Sequence, residues 1–388
     1  MVVSVFIIRG LIGKRNAVIG SNTHLGFHSI WTLFTVRHFA SNEPNAMEIS
    51  TKEHSFTVNY LIHSCGLSVK SAKSVSKKVQ LKSRQRSDSF LDFLKRYGFT
   101  DSQVSKIVRS QPHLLLCNFQ KSVLPKLEFF SANGIVDSKL TELISKQPII
   151  LSCSLEKRII PGYNFLKGVL VRDDFVVKSM SRSWTIPLDV QNIVAPNVSH
   201  LREIGLPQSL IIRSLKDYPS VFFSDLRKFE EKTKKVIDMG FSLTKMKFVL
   251  ALGALVCQSE SKWDHKIEVY QRWGWSEDDV LLAYKKEPIC MLLSEKKITG
   301  AMEFFISKMN LKSSVIAAHP DLLFYSLKKR IIPRFSVIKI LRSKKVLKRD
   351  LSATTLLKMT ERHFLDNYVI KYQDHLPQLS DVSKEKDN

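Results

Sequence analysis

Apolar residues recur along this chain at the i, i+3, i+4 spacing of one helix face, in short runs of about ten residues. Val104, Ile107 and Val108 mark one such run. Glycine and proline, which interrupt helices, punctuate the runs. The pattern predicts short amphipathic helices, each of which buries a single apolar stripe.

A repeat of about 35 residues organises these runs. Its marker ends the first run and is proline in five of seven repeats: Pro112, Pro148, Ser183, Pro219, Ala254, Pro288 and Pro320. Six positions later stands a polar residue, of an N-cap type in all but one repeat: Asn118, Ser154, Asp189, Asp225, Glu260, Ser294 and Ser326. Fourteen positions before the marker, five repeats have a glycine followed by an apolar residue: Gly98, Gly134, Gly205, Gly240 and Gly274.

Each column of the repeat predicts a helix boundary. Glycine followed by an apolar residue predicts a helix C-terminus, because glycine readily adopts the left-handed conformation that ends a helix. The marker proline predicts the end of a first helix, because it disfavours helical geometry at the residue before it. The polar residue then caps a second helix, which runs to the next glycine.

Four repeats carry a further proline thirteen positions after the marker, namely Pro125, Pro161, Pro196 and Pro333. It predicts either a kink in the second helix or a helix start at N1 that follows a one-turn helical piece. The similar segments SLEKRIIP at 154–161 and SLKKRIIP at 326–333 occupy the same phase of two repeats five units apart.

Two short helices cannot bury their apolar stripes alone, so neighbouring repeats must stack. We therefore predict an all-α fold, a right-handed-type superhelical solenoid with seven clear repeats and degenerate caps at both ends.

The charge balance narrows the class of partner. The chain has 388 residues with Lys+Arg 60 against Asp+Glu 36, a net charge of +24. Such an excess is typical of proteins that bind a polyanion, either nucleic acid or an anionic membrane surface. No apolar stretch reaches the 18 residues of a membrane span, so we predict no membrane segment. Five scattered cysteines without a CxxC pair argue against a zinc site or a disulfide framework and favour a reducing compartment.

The N-terminus has the composition of an organelle transit peptide. The first 42 residues contain no acidic side chain, and they include Arg9, Lys14, Arg15 and Arg37 among Ser, Thr and apolar residues. The segment RHFAS at 37–41 resembles a mitochondrial processing site, so we predict the mitochondrial matrix, with the chloroplast as the alternative. The predicted organisation is a transit peptide at 1–39, a linker at 40–55, an N-terminal cap at 56–98, repeats at 99–345, a C-terminal cap at 346–374 and a disordered tail at 375–388.

No catalytic motif is present. The sequence lacks GxGxxG, GxxxxGK[ST], HExxH, GxSxG and CxxC, and its eleven histidines show no ligand spacing with cysteine or acidic residues. We therefore predict that the protein is not an enzyme and has no metal, no cofactor and no small-molecule substrate.

Cations recur just inside the predicted second helix. Six of the seven repeats place them eight to ten positions after the marker: Lys121; Lys157 and Arg158; Arg227 and Lys228; Lys262; Lys296 and Lys297; Lys328, Lys329 and Arg330. A position shared by stacked repeats becomes a basic stripe, which is the electrostatic footprint of nucleic-acid binding. The alternative is a solvated, lysine-rich helix face.

Two other groups of side chains allow two interpretations each. The cations between 70 and 86 form either a basic arm or a solvated helix end: Lys70, Lys73, Lys77, Lys78, Lys82, Arg84 and Arg86. The aromatic residues Trp263, Tyr270, Trp273 and Trp275 either stack on bases or belong to the core, and we favour the core.

The repeated units PHLLLCN, PIILSCS, PSVFFSD, PICMLLS and PDLLFYS, each followed by a helix that closes on glycine, resemble those of the mitochondrial transcription termination factor (mTERF) family in its plant form. The segments FTVNYLIHSCGLSVKSA at 56–72 and FLDNYVIKY at 364–372 are similar to the opening and close of that family. Ser183 and Ala254 depart from the pattern, and so does the short last repeat. Pentatricopeptide arrays share the period but lack the unit P-x-x-L.

The resemblance implies an organellar nucleic-acid binder that acts in transcription, its termination or intron splicing. The leading hypothesis is a monomer that binds double-stranded DNA in the organelle, without a membrane partner. One alternative is an RNA-binding factor for organellar intron splicing. Another is a protein-interaction solenoid that docks on the transcription or splicing machinery.

Overall fold

A computed structural model describes residues 51–182, 189–347 and 352–373. Within these ranges the chain is helical and contains no strand, which confirms the predicted all-α repeat fold. The predicted transit peptide, the repeat marker Ser183 and the predicted disordered tail lie outside the described residues. The chain forms two compact units; the described part of the first ends at Glu231 and that of the second begins at Lys232.

Each repeat contains a first helix and a second helix, and we number all helices in chain order. The first helices are α4 (Asp101–Ser110), α7 (Asp137–Lys146), α9 (Asp173–Arg182), α11 (Gln208–Asp217), α13 (Met246–Val256), α15 (Glu277–Lys286) and α17 (Ser313–Ala318). The second helices are α5 (Phe119–Ser122) with α6 (Leu124–Ala132), α8 (Ile160–Leu170), α10 (Ala195–Glu203), α12 (Leu226–Asp238), α14 (Glu260–Gln271), α16 (Glu295–Ser307) and α18 (Ile332–Ser343).

Further helices flank the repeats at both ends. At the N-terminal end they are α1 (Thr51–His63), α2 (Val69–Val75) and α3 (Gln85–Arg96), and at the C-terminal end α19 (Ala353–Lys358) and α20 (Glu361–Tyr368). Helix α1 thus begins inside the segment predicted as a linker. The C-terminal helices pack Leu356 and Phe364 against Ile338 and Leu341 of α18, so the last repeat does not expose its apolar stripe.

Glycine ends α3 and four of the second helices, as predicted: α6, α10, α12 and α14. The five glycines that stand fourteen positions before a marker have φ between 77° and 89°. This is the left-handed region, which residues with a Cβ disfavour. At Gly134 the next residue, Ile135, donates its N–H to the carbonyl of Phe130, which closes the last turn. In the short last repeat Asn310 takes this place, with φ 53°.

The marker prolines begin short 3₁₀ turns. Pro112–Leu116, Pro148–Ser152, Pro219–Phe222, Pro288–Leu292 and Pro320–Phe324 each follow a residue that has left the helical region, such as Gln111 at φ −132°, ψ 65°. The apolar residues of these turns are buried, among them Leu114 and Leu115. Where Ala254 replaces the proline, no such turn forms and α13 runs on to Val256.

The second prolines start helices and do not kink them. A helical turn of the π type precedes α8, α10 and α18, at Leu155–Ile159, Val190–Val194 and Leu327–Ile331, and the short α5 takes its place before α6. In each case the proline is the second residue of the helix that follows, a position where its missing N–H removes no intrahelical bond.

Neighbouring repeats stack through their first helices within each unit. In the first unit α7 contacts α4 and α9, and α9 contacts α11; in the second α15 contacts α13 and α17. The 3₁₀ turns Pro288–Leu292 and Pro320–Phe324 also contact each other. Successive second helices therefore begin beside one another in this part of the second unit.

Replacing Gly134 with alanine is expected to lower the free energy of unfolding by about 1 kcal/mol, because its φ of 77° strains any residue that has a Cβ. A Cβ at this position has no neighbour within 4 Å, so the effect comes from the backbone alone. The matched control is Gly168→Ala inside α8, where φ is not positive and the Cβ is also unobstructed. That substitution should raise stability by about 0.5 kcal/mol in the same urea titration. Equal effects of the two substitutions would contradict the assignment of Gly134 as a helix terminator.

Candidate nucleic-acid interface

The predicted cations lie in the helical turn that directly follows an N-cap. This turn is the first turn of α5, α12, α14 and α16, and it is the π-type turn that precedes α8 and α18. The caps accept a hydrogen bond from the backbone N–H three residues on, as Ser294 does from Lys297 at 3.3 Å and Ser326 from Lys329 at 3.1 Å. One predicted cap is off by one residue: Ser259 caps α14, and Glu260 is its first residue. In this repeat no 3₁₀ turn follows Ala254, and the cap stands five positions after the marker instead of six.

Eight of the eleven predicted cations are exposed, and six of these eight form no salt bridge with another described residue. We call these six the exposed first-turn lysines: Lys121, Lys157, Lys262, Lys296, Lys328 and Lys329. The first unit contains Lys121 and Lys157, and the second contains the other four. Their ammonium groups are therefore available to an external anion.

Three further predicted cations form ion pairs. The guanidinium of Arg158 lies 3.0 Å from the carboxylate of Asp189 in the next repeat. Arg227 pairs with Glu231 at 3.6 Å and Lys228 with Asp225 at 3.4 Å, all on exposed surface. Exposed pairs of this kind contribute about 0–1 kcal/mol, so a phosphate can compete for these cations.

The last two predicted cations bind the protein's own backbone. Lys297 donates to the carbonyls of Phe324 and Tyr325 at 3.0 and 3.3 Å, and Arg330 donates to those of Leu357 and Met359 at 3.0 and 2.6 Å. Burial lowers the pKa of both side chains. Lys297 therefore connects one repeat to the next, and Arg330 connects the last repeat to the C-terminal helices.

Four further cations, which the repeat pattern did not identify, also donate hydrogen bonds to backbone carbonyls. Lys126 donates to the carbonyl of Leu151 and Lys266 to that of Leu293, and burial lowers the pKa of both lysines. Lys232 reaches Leu255 O at 2.9 Å. Arg334, fully buried, donates to the carbonyls of Leu356, Leu357 and Met359 at 2.9, 3.3 and 2.8 Å. Together with Lys297 and Arg330, we call these the carbonyl-binding cations.

The sequence contains a pattern that could have identified two of these residues, namely a cation on the apolar stripe of a helix. Arg334 lies at i+3 from the buried Ile331 and at i−4 from the buried Ile338, which places it on the apolar stripe of its helix. Lys266 likewise follows the buried Trp263 by three positions. A cation on an apolar stripe must find hydrogen-bond acceptors inside the protein, because burying an unpaired charge is prohibitive.

The first helices and the second helices of the repeats differ in the charged residues near their N-termini. The first turns of α4, α9 and α15 carry acidic residues and no cation, and that of α7 carries Asp137 together with Lys139; the acidic residues of the other three are Asp101, Asp173 with Asp174, and Glu277 with Asp278 and Asp279. The macrodipole favours this arrangement. The exposed first-turn lysines follow an N-cap, in α14 and α16 beside the acidic residues Glu260 and Glu295, and the macrodipole disfavours a cation there by a few tenths of a kcal/mol. Helix stability therefore does not explain the exposed first-turn lysines.

The other candidates are structural. Tyr270 and Trp275 are buried and stacked at 4.3 Å, and Trp263 packs edge-on against Tyr284, so the predicted core assignment is confirmed for these three. All five cysteines are free thiols. In the parts of the chain described by the structure, no group of His, Cys, Asp and Glu could hold a metal ion. Nor is any described helix long and apolar enough to cross a membrane.

A comparison with known protein families matches the part of the chain that forms the stacked two-helix repeats. The mTERF family model matches residues 91–252 and 211–365, which together cover most of the chain. The chain belongs to the mTERF family. The resemblance found in its sequence is thereby confirmed.

Two curated mTERF relatives come from Arabidopsis thaliana. The chain is 28% identical over 109 residues to "Transcription termination factor MTERF15, mitochondrial", an alignment that spans 28% of this chain and 24% of the relative. It is 22% identical over 140 residues to "Transcription termination factor MTERF8, chloroplastic", spanning 36% of this chain and 28% of the relative. The alignments thus span about a quarter of the length of each curated relative.

Proposed function

We propose that this mTERF protein binds nucleic acid in an organelle, with double-stranded DNA as the favoured ligand, and that it regulates organellar transcription or its termination without catalysis. The observation that carries the proposal is the set of exposed first-turn lysines, which no described carboxylate neutralises. Lysines at a shared position of stacked repeats suit the regularly spaced charges of a phosphate backbone.

The names of the relatives support the regulatory role and the compartment. Both relatives are named as transcription termination factors, one mitochondrial and one chloroplastic. For this chain we propose the mitochondrial matrix, because Arg37 stands before a site that resembles a mitochondrial cleavage site. The chloroplast is the alternative, which import of the chain into each isolated organelle distinguishes.

The burial of three of the four candidate aromatic residues favours a duplex over single-stranded RNA. Proteins that bind single strands stack bases on exposed aromatic side chains. Here Trp263, Tyr270 and Trp275 are at most 9% exposed and pack on other side chains. Contacts to phosphates, which a duplex presents at a high charge density, are therefore the favoured mode of binding.

The test is the salt dependence of binding to a DNA duplex by the full-length chain. If the exposed first-turn lysines each meet a phosphate, a plot of log K against log[salt] should have a slope of about −5, from about −0.9 per phosphate. Single-stranded RNA of the same sequence should bind more weakly at every salt concentration. A slope near zero would rule out the phosphate contacts, and tighter binding of the RNA would favour the role in intron splicing.

A further inference from the structure

A second basic surface lies before the repeats, in the first unit. No acidic residue occurs between residues 54 and 87. The same segment exposes seven cations: Lys70, Lys73, Lys77, Lys78, Lys82, Arg84 and Arg86. These seven cations have no acidic neighbour in the segment, and they lie outside the repeat positions of the exposed first-turn lysines.

This basic segment is a folded part of the first unit. Helix α2 buries Ala72 and Val75 and contacts α1 and α4. After the helix, Val79 and Leu81 are buried, and the N–H of Leu81 donates to the hydroxyl of Thr57 at 3.0 Å. The lysines between these anchors are therefore held at fixed backbone positions, which favours the interpretation as a surface over that as a flexible arm.

Three of the lysines share one helical face. Lys70, Lys73 and Lys77 have the spacing i, i+3, i+7, and the hydrogen bonds from Ser76 to Ala72 and from Val79 to Val75 continue the turn beyond α2. At 1.5 Å per residue the face extends over about 10 Å, which matches about three base-pair steps of a duplex. Lys78 and Lys82 extend the charge beyond it.

The two arginines differ from the lysines. Arg86 donates to the carbonyl of Leu116 at 3.3 Å, and Arg84 lies over the ring of Tyr60 at 5.8 Å. The five lysines, which we call the N-terminal lysine surface, form no salt bridge with a described residue. By contrast, α12 pairs its exposed Arg227 with Glu231.

Favourable interactions with the helix dipole explain the positions of only some of these lysines. Lys73 lies in the last turn of α2, where the macrodipole favours a cation. Lys70, however, lies in the first turn, where a cation is disfavoured, and Lys73 and Lys77 are like charges at i, i+4. The surface thus has unfavourable charge interactions that binding of a polyanion would remove.

We propose that the N-terminal lysine surface is a second phosphate-binding site, which holds the backbone of the nucleic acid independently of its sequence. The proposal rests on the proposed function and adds a site that the repeat pattern does not contain. A membrane surface is the less suitable polyanion, because α2 turns Ala72 and Val75 into the protein and has no apolar face to insert into lipid.

The test compares three variants of the full-length chain on one duplex. The first is Lys70, Lys73, Lys77 and Lys78→Gln. The second is Lys121, Lys157, Lys262 and Lys328→Gln, which removes exposed first-turn lysines. The third is a control that removes four exposed lysines from other surfaces: Lys106, Lys139, Lys308 and Lys312→Gln. Circular dichroism and thermal melting verify that all three are folded.

The first variant should bind about tenfold or more weakly at 0.1 M salt, and its salt slope should be flatter than that of the parent by about 2 to 4. The control should change the slope by less than about 1. A first variant that behaves like the control, while the second loses affinity, would overturn this proposal and leave the proposed function standing.

Three other outcomes also overturn the proposal. If the parent chain binds no duplex, both the proposed function and the second site fail. If the second variant also behaves like the control, the phosphate contacts of both proposals are misplaced. If the first variant keeps its affinity for the duplex but loses binding to vesicles that contain cardiolipin, the surface serves a membrane.

Discussion

Replacing Arg334 with leucine is expected to lower the free energy of unfolding by about 3 kcal/mol. The side chain is fully buried, donates to three backbone carbonyls and pairs with Glu361 at 2.8 Å. Leucine provides no donor, so the carbonyl of Leu356 is left buried without its partner and the other two lose a charge-assisted bond. Urea denaturation of the full-length chain measures the change.

Two further variants separate the role of these hydrogen bonds from that of position 334 itself. Arg334→Lys keeps the charge with fewer donors and should lose about half as much stability. Lys339→Gln changes an exposed cation of the same helix and should have an effect within about 0.5 kcal/mol. If Arg334→Leu were as stable as Lys339→Gln, the buried hydrogen bonds would contribute nothing to holding the C-terminal helices.

Reversing the charge of four exposed first-turn lysines is expected to weaken duplex binding by about 10³-fold at 0.1 M salt. The variant is Lys157, Lys262, Lys328 and Lys329→Glu. At this salt concentration each phosphate contact contributes about eightfold through counterion release, and four contacts are lost together. The loss should be similar for duplexes of different sequence, because phosphate contacts carry no sequence information. Fluorescence anisotropy with two unrelated duplexes measures it.

A control with the same change in net charge isolates the position of the lysines. Lys139, Lys234, Lys308 and Lys312→Glu reverses four exposed cations elsewhere and should weaken binding by no more than about tenfold. Lys297→Gln removes a carbonyl-binding cation and should lower stability without a comparable loss of affinity. An equal loss in the control would attribute binding to the total charge of the chain, and loss on only one duplex would indicate base readout.

The helix boundaries could be predicted because local residues determine them. Gly134 ends a helix through its own backbone preference, and Pro112 excludes helical geometry at Gln111. Neither effect depends on the rest of the fold. The choice between a kink and a helix start at Pro161 was not local, since it depends on how the preceding turn, Leu155–Ile159, accommodates an extra residue.

The roles of individual cations could be predicted only in part. Lys296 and Lys297 are adjacent in the sequence, yet one is exposed and the other reaches the carbonyl of Phe324. That difference depends on which side of the helix faces the next repeat, and the sequence period alone does not specify it. The binding of Lys126 to Leu151 joins residues 25 positions apart, so it follows from stacking and not from any local motif.

The carbonyl-binding cations also bear on how the repeats unfold. Four of them attach a second helix to the backbone of the repeat that follows, and Arg330 and Arg334 attach the last repeat to the C-terminal helices. Much of the stabilising energy therefore belongs to junctions between neighbours. In a nearest-neighbour description, strong junctions and weak individual repeats produce cooperative melting, because opening one repeat removes support from the next. Amide hydrogen exchange should therefore show α14, α16 and α18 opening with similar free energies.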